Sequence, residues 1–138
     1  MSKSTSNCIM AFLSCNSKLI KKLEQNLNSL HGLGLNEFFT LYHLSQSLQP
    51  ISRISLADTL ALTPSGVTRL LIPMDIGYVT KQKNQRDARL SLIEITNAGK
   101  QRFQESNITY QSTTEGLFEN VSEKDKENLL LVSPYYCG

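Results

Sequence analysis

The sequence predicts a mainly α chain carrying one small β-hairpin in its second half. Three observations lead there. Apolar residues recur every three or four positions from Cys8 to Leu30 and again from Val67 to Met74, the spacing of a helix face. Between Tyr78 and Ile95, two runs of strand-forming residues flank the polar, basic turn Asn84-Gln85-Arg86-Asp87-Ala88-Arg89. Residues that cap helix N-termini stand before helical stretches at Ser55, Thr63, Thr96 and Ser122.

Size and composition narrow the class. The 138 residues suffice for one compact domain, or one domain with dimerising arms, and a hydrophobic content of 40% is enough for a core. No run of 18 uninterrupted apolar residues occurs, so no membrane partner is expected. The start, Met1-Ser2-Lys3-Ser4-Thr5-Ser6-Asn7, lacks the apolar core and cleavage site of a secretory signal. Three cysteines, an odd number, argue against a disulfide scaffold and for the reducing cytoplasm. The net charge of +2 is uneven. Residues 51–102 hold eight bases against four acids, a net of +4, while the remainder nets −2. Single bases belong to ordinary solvated surface; a cluster at the hairpin suits a polyanion.

Taken in order, residues 1–7 are polar and expected to be disordered. From Cys8 to Leu30, Ile9, Phe12/Leu13, Ile20, Leu23, Leu27 and Leu30 form a seam on a long helix that ends at Gly32 and Gly34. Such a seam packs either on its own core or on the helix of a second subunit; the small domain beyond it offers little to cover it, which favours a dimer. Asn36 to Leu48 forms the next helix, with Phe38, Leu41, Tyr42 and Leu44 inward. Pro50 breaks it, and Ile51-Ser52-Arg53-Ile54 reads as a short strand.

Ser55-Leu56-Ala57-Asp58 fits the capping pattern of a short helix through Ala61. After the brief link Leu62-Thr63, Thr63 caps a second helix with Pro64 at its first position, where the missing N–H costs nothing. Val67, Leu70, Leu71 and Met74 make its buried stripe; Ser65, Gly66, Thr68 and Arg69 face the other way, near the positive end. Small hydroxyls, a glycine and an arginine suit a DNA major groove, where arginine reads guanine. Two short helices with so short a link form a helix-turn-helix. Tyr78–Lys83 and Leu90–Ile95 then pair as a hairpin, which completes a winged helix. Thr96 caps a further, unusually polar helix with sparse apolar points at Phe103, Ile108, Leu117, Phe118 and Val121. Ser122 starts a last helix that Pro134 is expected to stop.

The run from Leu35 to Arg102 resembles the MarR family of bacterial transcription regulators. The resemblance rests on Ser55, Asp58, Leu60, Leu62, Ser65, Val67-Thr68-Arg69-Leu70, Gly77-Tyr78-Val79, Asp87-Ala88-Arg89 and Ile95-Thr96-Asn97-Ala98-Gly99, in the family's order and spacing, with Leu35-Asn36-Glu37-Phe38 upstream. Two departures stand out. Pro73 falls late in the recognition helix and implies a kink or an early end. Met74-Asp75-Ile76-Gly77 is one residue shorter than in such relatives, and deleting one residue from a regular helix rotates the wing beyond it by about 100°.

The resemblance implies a winged helix-turn-helix (α+β) with N- and C-terminal dimerisation helices. Residues 1–34 would form the first dimerisation helix, 35–95 the DNA-binding domain (helix-turn-helix about 55–77, wing about 78–95), and 96–138 the last helices and tail. The implied partner is double-stranded DNA bearing a pseudo-palindromic operator, read by a homodimeric repressor that a small-molecule inducer or an oxidant relieves. In that scheme Ser65, Thr68 and Arg69 contact bases and phosphates. Arg89, steadied by Asp87, enters the minor groove, and Lys81, Lys83 and Arg86 hold phosphates.

No nucleophile–base pair, metal cluster, phosphate loop or cofactor motif occurs, so neither an enzyme nor a cofactor is expected. His31 and His43 are isolated, and no metal site is predicted. Cys8 and Cys15 share a helix face about 10.5 Å apart, beyond disulfide reach. A branch of the family senses peroxide through a first-helix cysteine, which makes Cys15 a candidate redox sensor with Tyr42 as hydrogen-bond partner; the alternative is an inert small hydrophobe. A winged helix serving as a protein-interaction module is the competing function, and RNA binding a third that lacks stacking aromatics on the wing.

Overall fold

The structure, a computed structural model, describes residues 2–83, 86 and 91–136. It begins with α1 (Ser2–His31), a helix of 30 residues. The polar start expected to be disordered is thus helical from Ser2. Adding residues to a formed helix costs far less than nucleating one, and the downstream apolar turns supply the nucleus. Gly32 ends α1 in the left-handed region at φ 65°, a conformation glycine adopts without penalty.

Next comes α2 (Leu35–Gln46), whose first turn is tied twice: Gly34 N donates to Glu37 Oε1, and Leu35 N donates to Glu24 Oε1 on α1. Phe38, Leu41 and Leu44 are buried as expected. Tyr42, expected inward, is 42% exposed; its position lies a quarter-turn off the stripe, and its ring rests against Phe103 and His43.

The segment expected to be a four-residue strand is shorter. β1 (Ile51–Ser52) gives way at once to α3 (Arg53–Leu60), so the helix starts three residues earlier than predicted. The cap is Ser52 rather than Ser55: Ser52 Oγ accepts from Ser55 N at 3.1 Å. Leu56 and Ala57 are buried, Leu60 half-buried. α3 closes on Ala61, in the left-handed region at φ 54°. Then α4 (Pro64–Leu71) begins, capped by Thr63, whose hydroxyl accepts from Gly66 N at 3.0 Å. Val67, Leu71 and Met74 are buried, whereas Leu70 is only half-buried. Pro73 ends the α-helix early, as expected, and Pro73–Ile76 turn as a 3₁₀ helix that stops at Gly77, φ 142°. Because this segment is not α-helical, the rotation of about 100° for a deleted α-helical residue does not apply.

β2 (Val79–Lys83) and β3 (Ser91–Ile95) pair antiparallel, and β3 also pairs with β1, giving a three-stranded sheet ordered β1-β3-β2. Val79 pairs with Ile95 and Lys81 with Ile93, so the inner end of the hairpin is anchored by buried Val79 and Ile93 while its far end reaches solvent. The turn expected at 84–89 and Leu90 lie outside the described residues, apart from Arg86.

α5 (Asn97–Leu117) is capped by Thr96, whose hydroxyl accepts from Gly99 N at 3.0 Å. Its polar composition has a use. Asn26 Nδ2 donates to Thr113 Oγ1 at 2.9 Å, and His31 Nε2 meets Thr109 Oγ1 at 2.7 Å, so hydroxyls set the register of α1 on α5. Phe103 joins the core and Tyr110 stacks on Phe38 at 4.8 Å, while Ile108 is 71% exposed. Gly116 does not interrupt the helix. α6 (Glu123–Tyr136) starts on Ser122, whose Oγ accepts from Asp125 N. Pro134 does not stop it. A proline there cannot donate to the Leu130 carbonyl, and Ser133 Oγ donates to that oxygen instead at 3.0 Å.

The core joins α1 and the winged domain: Leu23, Leu27, Phe38, Leu41, Leu56, Val67, Met74, Ile93 and Phe103 belong to one cluster. Only the second half of the α1 seam is used in this way. Ile9, Phe12, Leu13, Ile20 and Leu30 stay 40–68% exposed.

Candidate nucleic-acid interface

The buried stripe of α4 fixes which residues it can present. Ser65 and Arg69 are exposed on the opposite side; Gly66 and Thr68 are half-buried between them. Gly66 gives its N–H to the Thr63 hydroxyl, and a Cβ there would sit 3.1 Å from that oxygen, so the glycine serves the cap. Thr63 Oγ1 and Ser65 Oγ stand 3.2 Å apart.

Thr68 is more constrained than its place in the sequence suggests. Its hydroxyl donates to the Pro64 carbonyl at 3.1 Å and accepts from Arg53 Nη1 at 2.9 Å. Arg53 was not among the predicted site residues. With Ser52 as cap it becomes the first residue of α3, and its guanidinium crosses to α4. Arg53, Pro64, Ser65, Thr68 and Arg69 together line a shallow depression of about 390 Å³. The signal that finds Arg53 in sequence is the Ser52-x-x-Ser55 spacing, which moves the helix start by a turn.

On the wing, Lys81 and Lys83 lie two apart on β2, on one face, and are exposed; Arg86 is exposed at the tip. Gln82, on the other face, donates to Glu94 Oε2 across the hairpin at 2.9 Å. Asp87 and Arg89 lie outside the described residues. Behind the hairpin, Arg102 stacks on the Tyr78 ring at 4.8 Å and donates to the His31 carbonyl, linking the wing's base to the end of α1.

A two-helix unit whose second helix is backed by a buried stripe, followed by an antiparallel hairpin, is a winged-helix arrangement, and solved structures show the same one. The chain has a MarR-like winged-helix fold. It is similar to the transcriptional regulator BldR from Sulfolobus solfataricus (20% identity, TM-score 0.87, 98% of this chain and 96% of that one). It is also similar to Sco3205, a MarR family transcriptional regulator from Streptomyces coelicolor solved in complex with DNA (14% identity, TM-score 0.87, 96% and 88%). A third likeness is to CouR from Rhodococcus jostii RHA1 bound to p-coumaroyl-CoA (16%, TM-score 0.78, 91% and 89%). No protein-family model matches the chain, and no curated sequence does. The MarR-like fold is therefore carried here by a divergent sequence.

The remaining predicted residues lie away from this surface. Cys8 and Cys15 are exposed on α1, and Cys15 makes no hydrogen bond to Tyr42 among the described residues. His43 is half-buried against Tyr42, and desolvation lowers its pKa. Among the described residues no helix is long and apolar enough to cross a membrane.

Proposed function

We propose that the chain is a sequence-specific double-stranded DNA-binding transcriptional regulator acting as a homodimer in the cytoplasm, a repressor relieved by a small ligand or an oxidant, and not an enzyme. The observation that carries this reading is the outward face of α4: Ser65 and Arg69 stand exposed over a fully buried Val67–Leu71–Met74 stripe, beside the exposed lysines of β2. Recognition helices enter the major groove in this way, while wing cations meet phosphates. Residues 35–95 act as the DNA-binding domain, with Arg89 and Asp87 at the wing; residues 1–34 and 96–138 dimerise. Capture of genomic fragments by the purified protein, followed by sequencing, tests it. Enrichment of one pseudo-palindromic site is expected, with half-sites about one helical turn apart. Uniform recovery of fragments would refute sequence specificity.

Dimerisation is supported by the apolar residues that the fold leaves uncovered, Ile9, Phe12 and Leu13 on α1 with Leu129–Leu131 on α6. Leu23, on the same seam, is 7% exposed and belongs to the chain's own core. Leu13→Asp, at a 52% exposed position, should leave the fold intact and separate the subunits. Sedimentation is expected to show a dimer for the wild type; a 15.5 kDa species alone would remove the basis for the proposal.

For relief of binding, a cleft of about 390 Å³ lined by Leu19, Leu23, Tyr110, Phe118 and Lys126 among others supports a small-molecule inducer, being within the size range of ligand pockets. The oxidant alternative rests on Cys15. Peroxide should then lower DNA affinity in the wild type and not in Cys15→Ser. Equal responses would return Cys15 to the role of a small hydrophobe on the dimer seam.

A further inference from the structure

The hydrogen bonds at the start of α4 divide its labour differently from the sequence pattern. Thr68 sits on the presented face, yet its hydroxyl proton is committed to the Pro64 carbonyl and one oxygen lone pair to Arg53 Nη1. A hydroxyl in that state has no proton left to give to a phosphate or a base acceptor. Arg53 is the reverse case. One of its five donors meets Thr68, and its Nε is buried with no hydrogen-bond partner among the described residues. A buried guanidinium donor left unsatisfied is costly, and a cation held beside a second one, Arg69, across a small depression is more costly still. An anion in the depression would offset the second cost, while the buried Nε stays closed to it and leaves the Nη groups as the donors that can reach it.

Geometry limits which anion. In helix-turn-helix docking the first helix crosses the phosphate backbone while the second enters the groove. Arg53 is the first residue of that first helix and bonds to Thr68 in the middle of the second. We propose that Arg53 grips a backbone phosphate in the depression beside Ser65 and Arg69, and that Thr68 is a positioning residue which holds the guanidinium there rather than a base reader. This inference rests on the DNA-binding reading above. It adds a phosphate grip from α3, and it removes Thr68 from the residues that carry sequence discrimination.

The test is a salt titration of dimer binding to two duplexes, one of random sequence and one that the wild type selects from a random library. Arg53→Ala should bind both about ten-fold more weakly for each copy of the residue, the size of one charge-assisted hydrogen bond. The salt slope should become shallower by about 0.9 for each phosphate no longer neutralised. The ratio between the two duplexes should not change, because phosphates carry no sequence information. If Arg53→Ala fails to fold by circular dichroism, Arg53→Gln, which keeps a donor for Thr68 and removes the charge, should show the same slope change. Thr68→Val should weaken binding in the wild-type background and have no further effect beside Arg53→Ala, whereas Thr68→Ser, retaining the hydroxyl, should bind normally. An unchanged slope for the Arg53 variants would overturn the phosphate grip. An equal weakening by Thr68→Val in both backgrounds, or none in either, would overturn the positioning role. A wild type that binds neither duplex would overturn the DNA-binding reading together with this inference.

Discussion

Gly99→Ala should lower the melting temperature by roughly 10 °C, the counterpart of about 3 kcal/mol at the upper end for overpacking. The cause lies where α5 leaves the sheet. Thr96 N donates to the Tyr78 carbonyl at 3.0 Å and Thr96 Oγ1 to the Gly77 carbonyl, which draws the first turn of α5 down onto the base of the wing. A Cβ on Gly99 would lie well inside contact distance of the Tyr78 carbonyl oxygen and 2.7 Å from Ile95 Cγ1. The backbone oxygen has no rotamer to escape into, so either the helix lifts or the hairpin tilts. Gly116, in the same helix, makes the comparison clean. Nothing lies within 4 Å of a Cβ there, and Gly116→Ala should stabilise by about 0.5–1 kcal/mol through helix propensity alone. Thermal unfolding followed by circular dichroism measures both; an unchanged melting temperature for Gly99→Ala would show that α5 does not press on the hairpin.

The second large effect is on recognition. Arg69→Ala should weaken binding to the selected operator and also flatten its preference over random DNA, by about 1–3 kcal/mol for each copy of the residue. Arg69 is exposed on α4 with its backbone held by a capped first turn and a buried stripe, so truncating it takes away the proposed base contact and little else. Lys83→Ala should behave otherwise. Lys83 stands exposed near the outer end of β2, and its proposed contact is a phosphate. Its removal should weaken both duplexes alike and make the salt slope shallower by about 0.9 per phosphate. Retained discrimination in Arg69→Ala, with dimerisation intact, would mean that α4 does not read the bases.

Much of this architecture is legible along the chain because it depends on neighbours in sequence. Thr63 before Pro64, the Val67–Leu71–Met74 spacing, the break at Pro73 and the caps at Thr96 and Ser122 each act over a few residues, and each forms as read. Their order is enough to specify a winged helix. Local patterns misled where two of them competed or where a partner could compensate. Ser52 and Ser55 are both able to cap, and the hydroxyl of Ser133 replaces the bond that Pro134 forfeits.

What the tertiary structure alone decided is which of the legible residues face solvent and which are committed. The seam of α1 reads as uniform, yet Leu23 and Leu27 are buried in the shared core while Phe12 and Leu13 stay open, since a 30-residue helix outruns the small core beneath it. Thr68 and Arg53 are 15 positions apart, and no sequence period links them. Only the packing of α3 against α4 brings a guanidinium to that hydroxyl. Sequence by itself therefore determined the elements and the chemistry they carry. The assignment of each polar side chain to the protein or to a partner needed the packing between elements, because a hydrogen bond already made within the fold is one the surface no longer offers.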